Sequence, residues 1–189
     1  MKRITALLAL SAAAAASAVA QEIAPSMAEV GMTFSSTTFY PGGGAPSFTG
    51  LGGSGTLAFN VNKVLGVVAD LGAYHNGGDA NFNPTTFTYL FGPRLNLRRS
   101  RVTPYIQALF GGAHVSSSLV DPNTGAAVSE NGFAAAFGGG LDVRVSNHFA
   151  VKPFQLEYLR TQLPNVWNTS GTQNNLRYSA GVVFSFGAK

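Results

Sequence analysis

The chain is 189 residues long, has no cysteine, and combines only 11% charged residues with 23 glycines. The missing cysteine excludes a disulfide framework, a thiolate metal site and a lipidated N-terminal cysteine. So little charge, against the roughly 25% usual for soluble domains, leaves a water-facing surface poorly covered.

At the N-terminus, Lys2 and Arg3 precede an apolar, alanine-rich run from Ile4 to Ala16 and the small-residue sequence Ala18-Val19-Ala20. This is the pattern of a secretory signal peptide over residues 1–20, with one mature domain over 21–189 beginning at Gln21. Nothing later offers eighteen consecutive apolar residues, so no transmembrane helix is expected. Twelve basic residues less Lys2 and Arg3 stand against eight acidic ones, a mature net charge of +2. The high whole-chain pI is therefore no sign of a nucleic-acid partner, and none is expected.

The mature chain alternates, as a strand does when its two faces meet different surroundings. Ala28, Val30, Met32 and Phe34 oppose Glu29, Gly31, Thr33 and Ser35. Leu57, Phe59 and Val61 oppose Ser54, Thr56 and Asn60; Leu65, Val67, Ala69 and Leu71 then oppose Asp70 and Gly72. From Phe87 to Arg98 the apolar set is Phe87, Tyr89, Phe91, Leu95 and Leu97, set against Thr86, Thr88, Gly92, Arg94 and Asn96. Segments 102–115 and 149–160 add two further strands. Between them, Phe133, Ala135, Phe137, Leu141, Val143 and Val145 oppose Gly138, Gly140, Asp142 and Arg144. The last segment sets Leu176, Tyr178, Ala180, Val182, Phe184 and Phe186 against Asn175, Arg177, Ser179 and Ser185. The total is about eight strands.

The connections alternate in length too. Short links fall at Asn62-Lys63, at residues 98–101 and at Ser146-Asn147-His148. Long links rich in Gly, Pro, Asn, Ser and Thr run over residues 36–48, 75–85, 116–132 and 161–174. Three short turns and four long loops predict an all-β, closed, antiparallel up-and-down transmembrane barrel with both termini on the periplasmic side. Closure follows because an open sheet edge in lipid leaves backbone groups unsatisfied.

The C-terminal run Gly181-Val182-Val183-Phe184-Ser185-Phe186, a glycine before alternating aromatics, resembles the assembly signal of small outer-membrane barrels. As architecture the whole mature chain is similar to the family typified by the OmpA transmembrane domain and OmpX; as a motif, only this tail is, with Gly181, Phe184 and Phe186 as its marks. Here Gly187-Ala188-Lys189 follow the last aromatic. The resemblance implies the outer membrane of a Gram-negative-type bacterium, with outer-membrane lipids and lipopolysaccharide as surroundings. It also implies the barrel assembly machinery and periplasmic chaperones as partners in biogenesis. No peptidoglycan-binding domain is expected after the barrel, so cell-wall tethering is not carried over.

If the apolar set faces lipid, Glu29, Asp70, Asp142 and Glu157 share the lumen with Arg94, Arg144 and Arg177. In so narrow a space such charges must pair and hydrogen-bond, for which the planar guanidinium is suited. An eight-stranded interior is just wide enough for side chains to fill, so the expected lumen is plugged. The rival is a soluble carrier of lipocalin type, with apolar faces lining a cavity and charges outside.

The motifs with chemical connotations are weak. Residues Gly50 to Gly55 spell GxGxxG but enter a strand, whereas a dinucleotide site needs a strand before and a helix after. Gly138-Gly139-Gly140 lies inside a strand, where missing side chains relieve crowding or allow a bend. Asn168-Thr169-Ser170 is a formal glycosylation sequon without meaning on a bacterial loop. His75, His114 and His148 are far apart in sequence, and no metal, cofactor or catalytic set is expected. His114-Val115-Ser116, with Glu130, resembles the His-x-Ser of lipid A deacylase barrels, but that family's pair lies on a late strand, and here Gln155 to Leu159 holds neither residue. Trp167, the lone tryptophan, sits in the last long loop as a candidate contact for a partner or saccharide, or as an interface residue. Three readings follow: a structural or surface-interaction barrel, first; a narrow channel for ions or small solutes; and a lipid A-modifying enzyme.

Overall fold

The computed structural model describes residues 26–40, 47–75, 84–99, 101–120, 127–163 and 171–187, without side chains for 117–120 and 127–128. Eight strands follow one another: β1 (Ala28–Phe39), β2 (Phe48–Asn60), β3 (Leu65–His75), β4 (Thr85–Asn96), β5 (Val102–Val120), β6 (Ala127–Arg144), β7 (Phe149–Gln162) and β8 (Thr172–Phe186). Each pairs antiparallel with the next, and β8 returns to β1 to close the barrel. The closing ladder runs from Ala28 opposite Phe186 to Thr38 opposite Leu176. No described helix is long and apolar enough to cross a membrane; a barrel crosses with strands.

The period-2 pattern sorts the faces as expected. Met32, Phe34, Leu71, Phe91 and Phe137 are all more than 60% exposed, whereas Asp70, Arg177, Leu109 and Leu159 are fully buried. A greasy exterior around a charged interior is a membrane barrel, and it turns the carrier arrangement inside out. Three short turns lie at one end with the first and last described residues, Ser26 and Gly187, and the four longer connections join the strands at the other.

The strands reach further toward the loops than alternation indicates. Ser36, Thr37 and Thr38, placed in a loop by the sequence, pair with Leu51, Gly50 and Thr49 of β2 and with Tyr178, Arg177 and Leu176 of β8. Likewise β5 continues to Val120 and β6 begins at Ala127. The apolar period fades there while backbone pairing continues, because the ladder does not depend on what the outer side chains touch.

One irregularity reorganises the interior. In β7, Lys152 pairs with Gly181 but Gln155 with Ser179, and from β6 Val143 pairs with Val151 but Leu141 with Phe154. The extra residue falls at Lys152-Pro153 against β6 and at Pro153-Phe154 against β8, a β-bulge around Pro153, which has no N–H to give the ladder. The bulge changes parity, so Lys152 and Glu157 both point inward.

Candidate functional site: a charge network across the lumen

Arg177 of β8 is the centre of the interior. Its Nε donates to Glu157 Oε2 at 2.7 Å, and its Nη1 donates to Asp70 Oδ1 at 3.0 Å and to the Tyr74 hydroxyl at 2.5 Å. Nη2 also comes within 2.6 Å of Glu157 Oε2, without hydrogen-bond geometry. Strand β3, which supplies Asp70 and Tyr74, is not adjacent to β8, so these bonds span the lumen. Ser54 Oγ of β2 completes the Asp70 shell at 2.9 Å.

Glu157 carries the network onward. Gln107 Nε2 of β5 donates to its Oε1 at 2.8 Å, and Gln155 Nε2 donates to its Oε2 at 2.6 Å. Gln155 Oε1 accepts from the Tyr105 hydroxyl at 2.6 Å and from Lys152 Nζ at 2.9 Å. Lys152 Nζ lies 4.0 Å from Asp142 Oδ1, and Asp142 Oδ2 accepts from Arg94 Nη2. The Arg94 guanidinium also stacks over the Tyr105 ring, 3.6 Å from its centroid, where the face of the ring attracts a cation. Every strand from β2 to β8 thus contributes a side chain to one connected set.

A second cluster closes the turn end. Glu29 Oε1 accepts from Ser26 Oγ at 2.8 Å, Asn60 Nδ2 at 3.0 Å and Arg98 Nη2 at 3.0 Å. Beside it a cavity of about 20 Å³ lies among Glu29, Arg94, Arg98, Asp142 and Arg144. That is room for about one water molecule.

Six of the seven charges expected in the lumen are buried: Glu29, Asp70, Arg94, Asp142, Glu157 and Arg177. Arg144 is half-buried at the turn-end mouth and joins none of the ion pairs among the described residues. Two cations missed in the sequence take part instead. Lys152 was hidden by the parity change at Pro153. Arg98, assigned to a turn, reaches back over the rim to Glu29. Four acids, Glu29, Asp70, Asp142 and Glu157, therefore meet four cations, Arg94, Arg98, Lys152 and Arg177.

Glycine makes room for this crowding. A Cβ on Gly140 would sit 2.6 Å from the Tyr105 hydroxyl and 2.7 Å from the Phe154 carbonyl, and one on Gly138 would sit 2.8 Å from Glu157 Cγ. At the loop end, Phe39 and Phe48 stack with ring centroids 5.0 Å apart. Phe39 is buried inside the rim, because its odd position on β1 faces inward.

The other sequence candidates separate. Gly181, Phe184 and Phe186 lie on β8, where Val30 pairs with Phe184 and Ala28 with Phe186 in the closing ladder. Trp167 lies outside the described residues. His114 Nδ1 is 2.9 Å from Asn131 Oδ1, while Glu130 pairs with Val115, one position along, and so takes the opposite side of the sheet from His114. His75 meets Thr85 Oγ1 at 3.0 Å.

Comparison with known proteins agrees with this architecture. Ail, the attachment invasion locus protein of Yersinia pestis, superposes with a TM-score of 0.62 at 14% identity, covering 86% of this chain and 99% of its own. Neisserial surface protein A superposes with a TM-score of 0.67 at 15% identity, covering 85% and 98%. Ail has also been solved with the heparin analogue sucrose octasulfate, and that structure superposes with a TM-score of 0.60 at 13% identity, covering 86% and 99%. No curated protein sequence matches the chain. The model of the outer membrane protein beta-barrel domain matches residues 5–187, and the chain belongs to that family of the bacterial outer membrane.

Proposed function

We propose that this protein is a structural and surface-interaction barrel whose lumen is sealed against ion flow by its own side chains. The observation that carries the reading is Arg177, fully buried, bound across the lumen to Asp70 and Tyr74 and alongside to Glu157 of the neighbouring strand β7. A conducting path would have to separate opposite charges that are paired and buried in the lumen, which disfavours an open pore. In planar bilayers the protein gives no steps of the nanosiemens kind; regular steps of that size overturn the sealed lumen and favour a channel. Loss of lipid A mass change is not expected for His114→Ala because no such change is expected from the unsubstituted protein. The pairing of His114 with Asn131 supports that non-enzymatic reading.

The partner class follows from the loops. Residues 40–47, 76–84, 117–126 and 163–170 contain no Lys or Arg, and their only charged residues are Asp79 and Asp121. Sulfates and phosphates are held by cations, so the heparin-analogue complex of Ail does not transfer to this chain. We assign the outer face to an uncharged or cationic partner, with Trp167 as its aromatic contact. Titration with sucrose octasulfate leaves the fluorescence of Trp167, the lone tryptophan, unchanged; a saturable shift would reverse the assignment. Export by residues 1–20, and delivery by periplasmic chaperones and the barrel assembly machinery, belong to the same proposal.

A further inference from the structure

The cavity at the turn-end mouth has an imbalance of charge that its own side chains do not resolve. Two carboxylates, Glu29 and Asp142, and three guanidiniums, Arg94, Arg98 and Arg144, line its volume of about 20 Å³ together with Thr103 and Ser185. Both acids are engaged. Glu29 Oε1 accepts from Ser26, Asn60 and Arg98, and Asp142 has Arg94 at one oxygen and Lys152 Nζ 4.0 Å from the other. The lining therefore carries one positive charge in excess, that of Arg144, which joins no ion pair among the described residues.

Hydrogen-bonding capacity is left over in the same place. Arg94 Nε and Arg98 Nε are buried without a hydrogen-bond partner, although the Nη2 of each is paired. A buried donor without an acceptor costs its desolvation, which a native site ordinarily offsets with a bound group or a water. Thr103 and Ser185 add hydroxyls whose protons can turn toward the same space. Asp142 Oδ1 also has no hydrogen bond, but it is the oxygen that faces Lys152, so its charge is met by the ammonium.

We propose that this cavity binds a small monovalent anion of the chloride class, held by Arg94, Arg98 and Arg144. Guanidinium N–H groups form charge-assisted bonds to such an ion, and a single negative charge cancels the excess on the lining. A water molecule would accept from the two Nε groups but leave the charge of Arg144 without a counter-ion. The volume, close to that of one water, admits a monatomic ion and excludes phosphate and sulfate. Binding at this mouth involves no passage through the barrel.

The test uses the full mature barrel. Crystals grown in sodium bromide show an anomalous bromide peak in the cavity; a water there without anomalous signal overturns the proposal. In solution the barrel broadens the nuclear resonance of chloride, and the broadening saturates as chloride is added. Arg144→Gln removes the excess charge and breaks no ion pair. It loses roughly tenfold or more in chloride affinity, the scale of one hydrogen bond to a charged group, and keeps the heat-modifiable migration of a closed barrel. Arg160→Gln, which removes an exposed cation of β7 near the loop end, keeps the affinity. Broadening that does not saturate, that survives Arg144→Gln unchanged, or that is lost in Arg160→Gln overturns the site. A bromide peak without saturable broadening marks an ion bound at crystal concentration only, and overturns it as well.

Discussion

The inner wall of the barrel is built from two chemistries. Across the lumen, β3 to β8 hold Asp70, Arg94, Gln107, Asp142, Lys152, Gln155, Glu157 and Arg177 in one bonded set. Toward the loops, on β4 to β7, the inward positions become Leu90, Leu109, Ala113, Ala134, Ala136 and Leu159, a buried apolar cluster. Strand geometry is the same in both, so the difference lies in what each half contributes. The apolar cluster gains stability from burial alone and tolerates neighbours of similar size. The charged half gains little net stability from its pairs, yet it fixes a single arrangement, because every lost partner strands a buried charge.

That contrast can be broken by substitution, with stability read from urea unfolding of the barrel in lipid vesicles. Arg177→Met has the largest effect, a loss of about 3–5 kcal/mol, because Asp70 and Glu157 are left facing each other's side of the lumen without their cation. Replacing all three by apolar residues of similar volume recovers most of that loss; failure to recover would mean that the network stabilises outright. Leu159→Ala comes next at roughly 3 kcal/mol, the ordinary result of a cavity in a packed apolar cluster. The smallest effects compare two glycines. Gly140→Ala destabilises by about 1–3 kcal/mol through the contacts its Cβ would meet. Gly55→Ala, on the outward face with nothing within 4 Å of its added Cβ, stays within about 0.5 kcal/mol.

Much of this was legible in the sequence, for a physical reason. Lipid and lumen differ so strongly that alternation alone separates Phe91 from Arg94 and Tyr178 from Arg177, and alternating connection lengths supply the topology. What parity cannot convey is a change of parity. Pro153 was the available signal, since proline inside a strand marks a bulge or an edge, and carrying the period across it would have put Lys152 and Glu157 on opposite sides. Pairing was equally hidden: nothing local to Arg98 indicates Glu29, nor anything near Asp70 indicates Arg177, because partners that meet across a lumen share no ladder. Arg144 shows the converse. Its parity is that of Asp142, but as the final residue of β6 it sits at the mouth, where facing inward no longer means being enclosed.

The closing ladder between β1 and β8 has a kinetic meaning. It joins segments from opposite ends of the chain, the contacts of greatest sequence separation in the molecule, and such contacts carry the largest loop-closure entropy. Arg177 rides on β8, whereas Asp70 and Tyr74 wait on β3, so those bonds are not available to a barrel still open at the seam. Joining the last strand to the first and neutralising Asp70 are then one event. A partly assembled barrel would hold an uncompensated carboxylate in its interior, which makes the half-closed state short-lived and gives assembly a sharp, all-or-none final step.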